Sequence, residues 1–99
     1  MNLEDLKNKL KSFKKENITF TKHAEIQAYI REVDLNEVKN NIVNPDKLVY
    51  FREDNEKFDC YFAYSKQLYH RYILNINHNI IIVTIIKINR DWQKAVEGK

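Results

Sequence analysis

The chain has 99 residues, 43% of them hydrophobic and 31% charged, a size and balance that give one globular domain and exclude both disorder and a second independent core. Its single glycine, single proline and single cysteine exclude a Gly-rich phosphate loop, a Pro-rich linker, a disulfide framework and a cysteine-only zinc site. The 17 Lys and Arg against 14 Asp and Glu leave a net charge of +3, which admits a nucleic-acid partner without requiring one.

The start, from Met1 to Leu6, is polar and amphipathic and does not read as a signal peptide. A lone cysteine suits a reducing, cytoplasmic compartment. The longest apolar run, Ile80 to Val83 with Thr84 and then Ile85-Ile86, falls far short of the ~20 residues of a membrane span. It is β-branched throughout and reads as a buried strand.

In chain order, Asn2 is placed to cap a first helix over about residues 3–15. Glu4 and Asp5 lie in its first turn, where the helix dipole favours negative charge. Leu3, Leu6, Leu10 and Phe13 recur every three or four residues and make its apolar stripe. Asn17 to Thr21 is β-prone, a brief edge strand or an extended connector. Thr21 caps a second helix that reaches about Arg31. Asp34-x-x-Glu37 reads as a capping box for a third helix, with Leu35, Val38 and Ile42 as its stripe; it ends near Val43, ahead of Pro45.

The period then changes from 3.6 to 2. Strands are expected over 47–53, 58–65, 68–76 and 80–89, with turns between them. Helices followed by strands predict an α+β domain over residues 1–99, with the N-terminal helices on one face of a four-stranded antiparallel meander. A two-residue loop at His78-Asn79 would put Leu68, Tyr72, Leu74, Ile76, Ile81, Val83 and Ile85 on the core face, with Phe58, Cys60, Phe62 and Tyr64. The open face would then hold Tyr61, Tyr69, Arg71, Ile73, Asn75, Ile82, Thr84 and Ile86. A three-residue loop would exchange the two sets of the last strand.

The spacing of His23, His70 and His78 gives no metal-ligand pattern, and nothing suggests a cofactor. His78 falls in a turn. His70 reads as a satisfied histidine at the core's edge. His23 opens the second helix, and Arg31 follows two turns later, ~12 Å along the axis. Together they suit a general acid/base and a phosphate clamp at a helix N-terminus. The plainer reading is that His23 packs or caps and that Arg31 pairs with Glu32 or Asp34. Arg71 with Tyr61 and Tyr69 would suit a phosphate and stacked bases, and Lys87 and Arg90 end the last strand beside Trp92. The same aromatic face would equally suit a protein partner.

The run Phe20-Thr21-Lys22-His23-Ala24, then Arg31, the helix Asp34 to Val38, Asn44-Pro45 and a Thr on the last strand resembles a small prokaryotic domain-of-unknown-function family. That family belongs to the RelE/ParE toxin superfamily, near the BrnT toxins. The likeness spans about residues 18–88. It departs at Gln27, where the family often has a basic residue, and at Glu32, where it often has Gly. The resemblance implies a RelE-like α+β fold and a metal-independent endoribonuclease toxin, held by a cognate antitoxin or immunity protein. It carries His23, Arg31 and Thr84 over as catalytic positions. The competing readings are a non-catalytic protein- or nucleic-acid-binding module of the same fold, and a dimerisation module using the Leu3/Leu6/Leu10/Phe13 stripe.

Overall fold

A computed structural model describes residues 1–66 and 68–89. The elements are α1 (Leu3–Lys11), a 3-10 turn (Lys15–Asn17), β1 (Ile18–Phe20), α2 (Lys22–Ile30), α3 (Leu35–Val43), a second 3-10 turn (Pro45–Lys47), β2 (Leu48–Asp54), β3 (Lys57–Ala63), β4 (Leu68–Ile76) and β5 (Ile80–Asn89). The α+β class and the leading position of the helices agree with the sequence reading. The sheet does not. It has five strands in the order β1-β5-β4-β3-β2, and β1 runs parallel to β5, pairing Ile18 with Ile80 and Phe20 with Ile82. The expected antiparallel meander is therefore extended into a mixed sheet by the segment that read as either strand or connector. Three residues are too few to carry a strand signature of their own, and the pairing comes from β5.

Local signals explain the helix bounds. In α1, Asn2 accepts from Asp5 N at 2.8 Å while Asp5 returns a bond to Asn2 N at 3.1 Å. This reciprocal capping box satisfies two orphan donors. The helix stops at Lys11, four residues short of the expected end, because Ser12 caps it and its hydroxyl donates to Lys9 O. In α3 the cap is single: Asp34 accepts from Asn36 N at 2.8 Å, and Glu37 takes no part. Helix α2 ends in a Schellman pattern, with Val33 N donating to Ala28 O and Glu32 N to Tyr29 O. Glu32 there has φ 56°, in the left-handed region where glycine is most comfortable.

All three helices lie on one face of the sheet. The core joins Leu6, Leu10, Ala24, Ala28, Val38 and Ile42 of the helices to Phe58, Cys60, Phe62, Tyr72, Leu74, Ile76, Ile80, Ile82 and Ile85 of the strands. Residues Ile81 and Val83, expected in this core, lie outside it: Ile81 is 42% exposed and Val83 is half-buried. The β4–β5 register explains why. Ile76 pairs with Ile80, so the loop has three residues, and a bulge between Ile73 and Leu74 leaves Val83 without an opposite number. The longer loop shifts the first half of β5 by one residue and turns Ile80 and Ile82 inward. The bulge shifts it back, so Ile85 faces the core as expected. Tyr64, also expected in the core, is 43% exposed, and Leu68 is half-buried.

Candidate functional site

The position of α2 is fixed by its ties to β5. Thr21 N donates to Ile82 O at 3.0 Å, which continues the β1–β5 pairing by one residue. The Thr21 hydroxyl then does two things: it donates to Val83 O at 3.2 Å and accepts from Ala24 N at 3.1 Å as the helix N-cap. Two turns on, the Gln27 side chain accepts from Ile85 N at 2.9 Å. The helix thus replaces a strand along the outer edge of β5, and its polar side chains satisfy backbone groups that an edge leaves open. Gln27 thus has a structural task.

His23, Arg31 and Thr84 therefore sit on two packed elements. His23 lies in the first turn of α2, exposed, two residues after the threonine bonded to the carbonyl that precedes Thr84. Arg31 is the half-buried C-cap of the same helix. Thr84 is half-buried on β5, opposite Ile73. Among the described residues no hydrogen bond or ion pair joins the three. Among the described residues Arg31 makes no ion pair with Glu32 or Asp34.

The open face of the sheet collects Tyr61, Tyr69, Arg71, Ile73, Asn75, Thr84 and Ile86 as expected, with Ile81 in place of Ile82. Arg71 is not free there. Its Nε and Nη2 donate to the two carboxylate oxygens of Asp59, each at 2.8 Å, and these bonds raise the guanidinium pKa further. The guanidinium also lies 5.4 Å from the Tyr61 ring centroid, and Tyr50 packs edge-on to Tyr61 at 5.4 Å. Burial, then the Asp59 charge, raise the Tyr61 pKa. Tyr69 stands half-buried between Ala63 and Ile88. Sequence reasoning missed Asp59; its signal is the two-residue spacing from Tyr61, which puts it on the open face one step from Arg71.

Lys87 is not part of this face. It pairs with His70 and so belongs to the helix-covered side. Arg90 and Trp92 lie outside the described residues. Cys60 is buried, and burial pushes its thiol pKa far up, so it is a packing residue and not a nucleophile. Among the described residues, no group of three or more His, Cys, Asp or Glu side chains could hold a metal ion, and no helix is long and apolar enough to cross a membrane. Compared with known proteins, the chain matches no family model, no curated protein and no solved structure.

Proposed function

We propose that this domain is a metal-independent endoribonuclease of the RelE/BrnT-like toxin type, acting at the edge where α2 runs beside β5. The observation that carries the reading is the docking of α2: the bonds of Thr21 to Ile82 O and Val83 O, and of Gln27 to Ile85 N, hold the helix bearing His23 and Arg31 alongside the strand bearing Thr84. RNA cleavage without a metal needs a base for the 2′-OH, a cation for the charged phosphorane and an acid for the leaving oxygen. His23 is exposed at a helix N-terminus, where an anion is favoured, and serves as base or acid, with solvent water making the other proton transfer. Arg31, with no carboxylate partner among the described residues, supplies the cation. Thr84 donates a hydrogen bond to a phosphate oxygen.

The test is cleavage of a mixed-sequence RNA in EDTA by wild type, His23→Ala and Arg31→Ala. His23→Ala should lose at least ~100-fold in rate, the usual worth of a general acid/base. Wild-type protein that leaves the RNA intact, or a fully active His23→Ala, removes the nuclease reading.

The Arg71–Asp59 pair favours a second reading for the open face. With its guanidinium neutralised, the face of Tyr50, Tyr61, Tyr69, Ile73, Ile81 and Ile86 is more apolar than basic, which suits a protein. In the toxin reading that protein is the antitoxin or immunity partner. In the absence of cleavage the domain is a binding module of the same fold. Capture of the partner by wild type and its loss in Tyr69→Ala, at a salt level that abolishes RNA binding, distinguishes protein from RNA on this face.

A further inference from the structure

One imidazole is buried with half of its hydrogen-bonding capacity unused. His70 is 1% exposed and faces the helices from β4. Its Nδ1 lies 2.8 Å from the Tyr72 hydroxyl. That hydroxyl accepts from Asn41 Nδ2 at 3.0 Å and keeps one proton to donate; given to Nδ1, it leaves the imidazole proton on Nε2. Nε2 has no hydrogen-bond partner, and a buried polar atom without one is rare enough to need a reason. The sequence reading of a satisfied histidine holds for one nitrogen only.

The surroundings of the ring are cationic. Lys87 stands directly opposite His70 on β5. Lys47 closes the 3-10 turn before Leu48, which pairs with Phe62, which in turn pairs with His70. Both ammonium groups act on the imidazole, and with burial they oppose its protonation. On the solvent side Tyr64 stacks on the ring, centroids 4.2 Å apart and planes at 27°, yet Tyr64 is itself 43% exposed.

We propose that the Tyr72 hydroxyl donates to His70 Nδ1, and that Nε2–H, Lys87 and Lys47 form a site for a phosphate-type oxyanion, with the Tyr64 ring as its cover. One neutral donor and two ammonium groups are the complement of a phosphate group. The site lies on the helix-covered side of β5, opposite to the face that bears Thr84, so it is separate from the cleavage edge and stands without it. A free phosphate and a nucleic-acid backbone offer the same oxygens.

The experiment follows the ring nitrogens of His70 by NMR in the full chain. One arm titrates inorganic phosphate, the other a short single-stranded RNA without terminal phosphates. A saturable shift at Nε2 is expected in at least one arm, and that arm identifies the source. The affinity should fall about 10-fold in Lys87→Gln and in Lys47→Gln, and rise in Tyr64→Ala. Lys47 is exposed and Lys87 half-buried, and their substitutions keep the test valid if Tyr64→Ala does not fold. No shift in either arm overturns the proposal, as does a shift of equal affinity in both lysine variants. A long-lived water bound to Nε2–H that persists at saturating phosphate overturns it too.

Discussion

His70 makes the stability of the domain sensitive to mild acid. In the folded chain its pKa is pulled from the ordinary 6.5 down to about 4, first by burial, then by the charges of Lys87 and Lys47. Tyr72, which shares a hydrogen bond with the ring, stays neutral in this range because burial raises its pKa, and the Tyr64 ring stacks on the imidazole. Between these two pH values the unfolded chain binds a proton at this residue that the folded chain refuses. Acid therefore favours unfolding: the contribution is fully present above pH ~6.5, is lost progressively as pH falls, and changes no further below about 4. At about 1.36 kcal/mol per pH unit, the interval from 6.5 to about 4 amounts to about 3 kcal/mol, a large share of the 5–15 kcal/mol of a typical domain. Urea unfolding from pH 7.5 to 4.5 measures it directly. His70→Phe, which keeps an aromatic ring for Tyr64 to stack on but removes the titrating group, should be flatter over this range by most of that amount. It should be less stable than wild type at pH 7.5, because the Tyr72 hydroxyl loses its hydrogen-bond partner on the ring. Wild-type stability that changes by less than ~1 kcal/mol over this interval, or a His70→Phe variant as acid-sensitive as wild type, would refute the reasoning.

Three further outcomes are expected. Gln27→Leu leaves the Ile85 N–H at the β5 edge without its acceptor and should cost about 1–2 kcal/mol, roughly 5–10 °C in Tm by calorimetry; an unchanged Tm would mean that solvent replaces the bond. Glu32→Gly relieves a left-handed residue at φ 56° and should stabilise by about 1 kcal/mol in urea unfolding; a loss of stability would show that the Glu32 side chain contributes more than its backbone costs. Asp59→Asn frees the Arg71 guanidinium from its bidentate carboxylate and should steepen the log–log salt slope of RNA binding by ~0.7, whereas Arg71→Ala in the wild-type background should leave that slope unchanged.

The parts of the fold that were legible in the sequence are those with a local physical cause. Asn2 with Asp5, Thr21 and Asp34 announce three helix starts because capping chemistry acts over three residues. The period-2 runs announce β2 to β5, and their alternation puts Tyr61, Tyr69, Arg71 and Ile73 on one face, as the sheet does. What stayed hidden depends on distant partners. Ile18 to Phe20 is a strand because β5 offers an edge 62 residues away in sequence, and Gln27 is an edge cap for the same reason. Asp59 neutralises Arg71 across a strand pair whose register fixes them as neighbours. His70 was placed on the right face, but the fate of its second nitrogen rests on which groups surround it, and no spacing encodes that.

The face of β5 shows the limit most sharply. Ile80-Ile81-Ile82-Val83 is four β-branched aliphatics in a row, so each register buries equally good side chains, and the apolar pattern cannot choose between them. A two-residue loop without a bulge and a three-residue loop with one both bring Tyr72 opposite Ile85. The choice is made by α2 and β1. The parallel pairing of Phe20 with Ile82 and the bond of the Thr21 hydroxyl to Val83 O both use the bulged backbone, so docking of the helix selects it. This predicts a contrast between adjacent residues of one type. Ile82, fully buried, should cost about 2–5 kcal/mol as Ile82→Ala. Ile81, on the open face, should cost within about 0.5 kcal/mol as Ile81→Ala. In the bulge-free register the order reverses, because Ile81 then faces the helices. Urea unfolding of the two variants decides it, and an Ile81→Ala protein less stable than Ile82→Ala would overturn both the bulge and the account of α2 as the element that selects it.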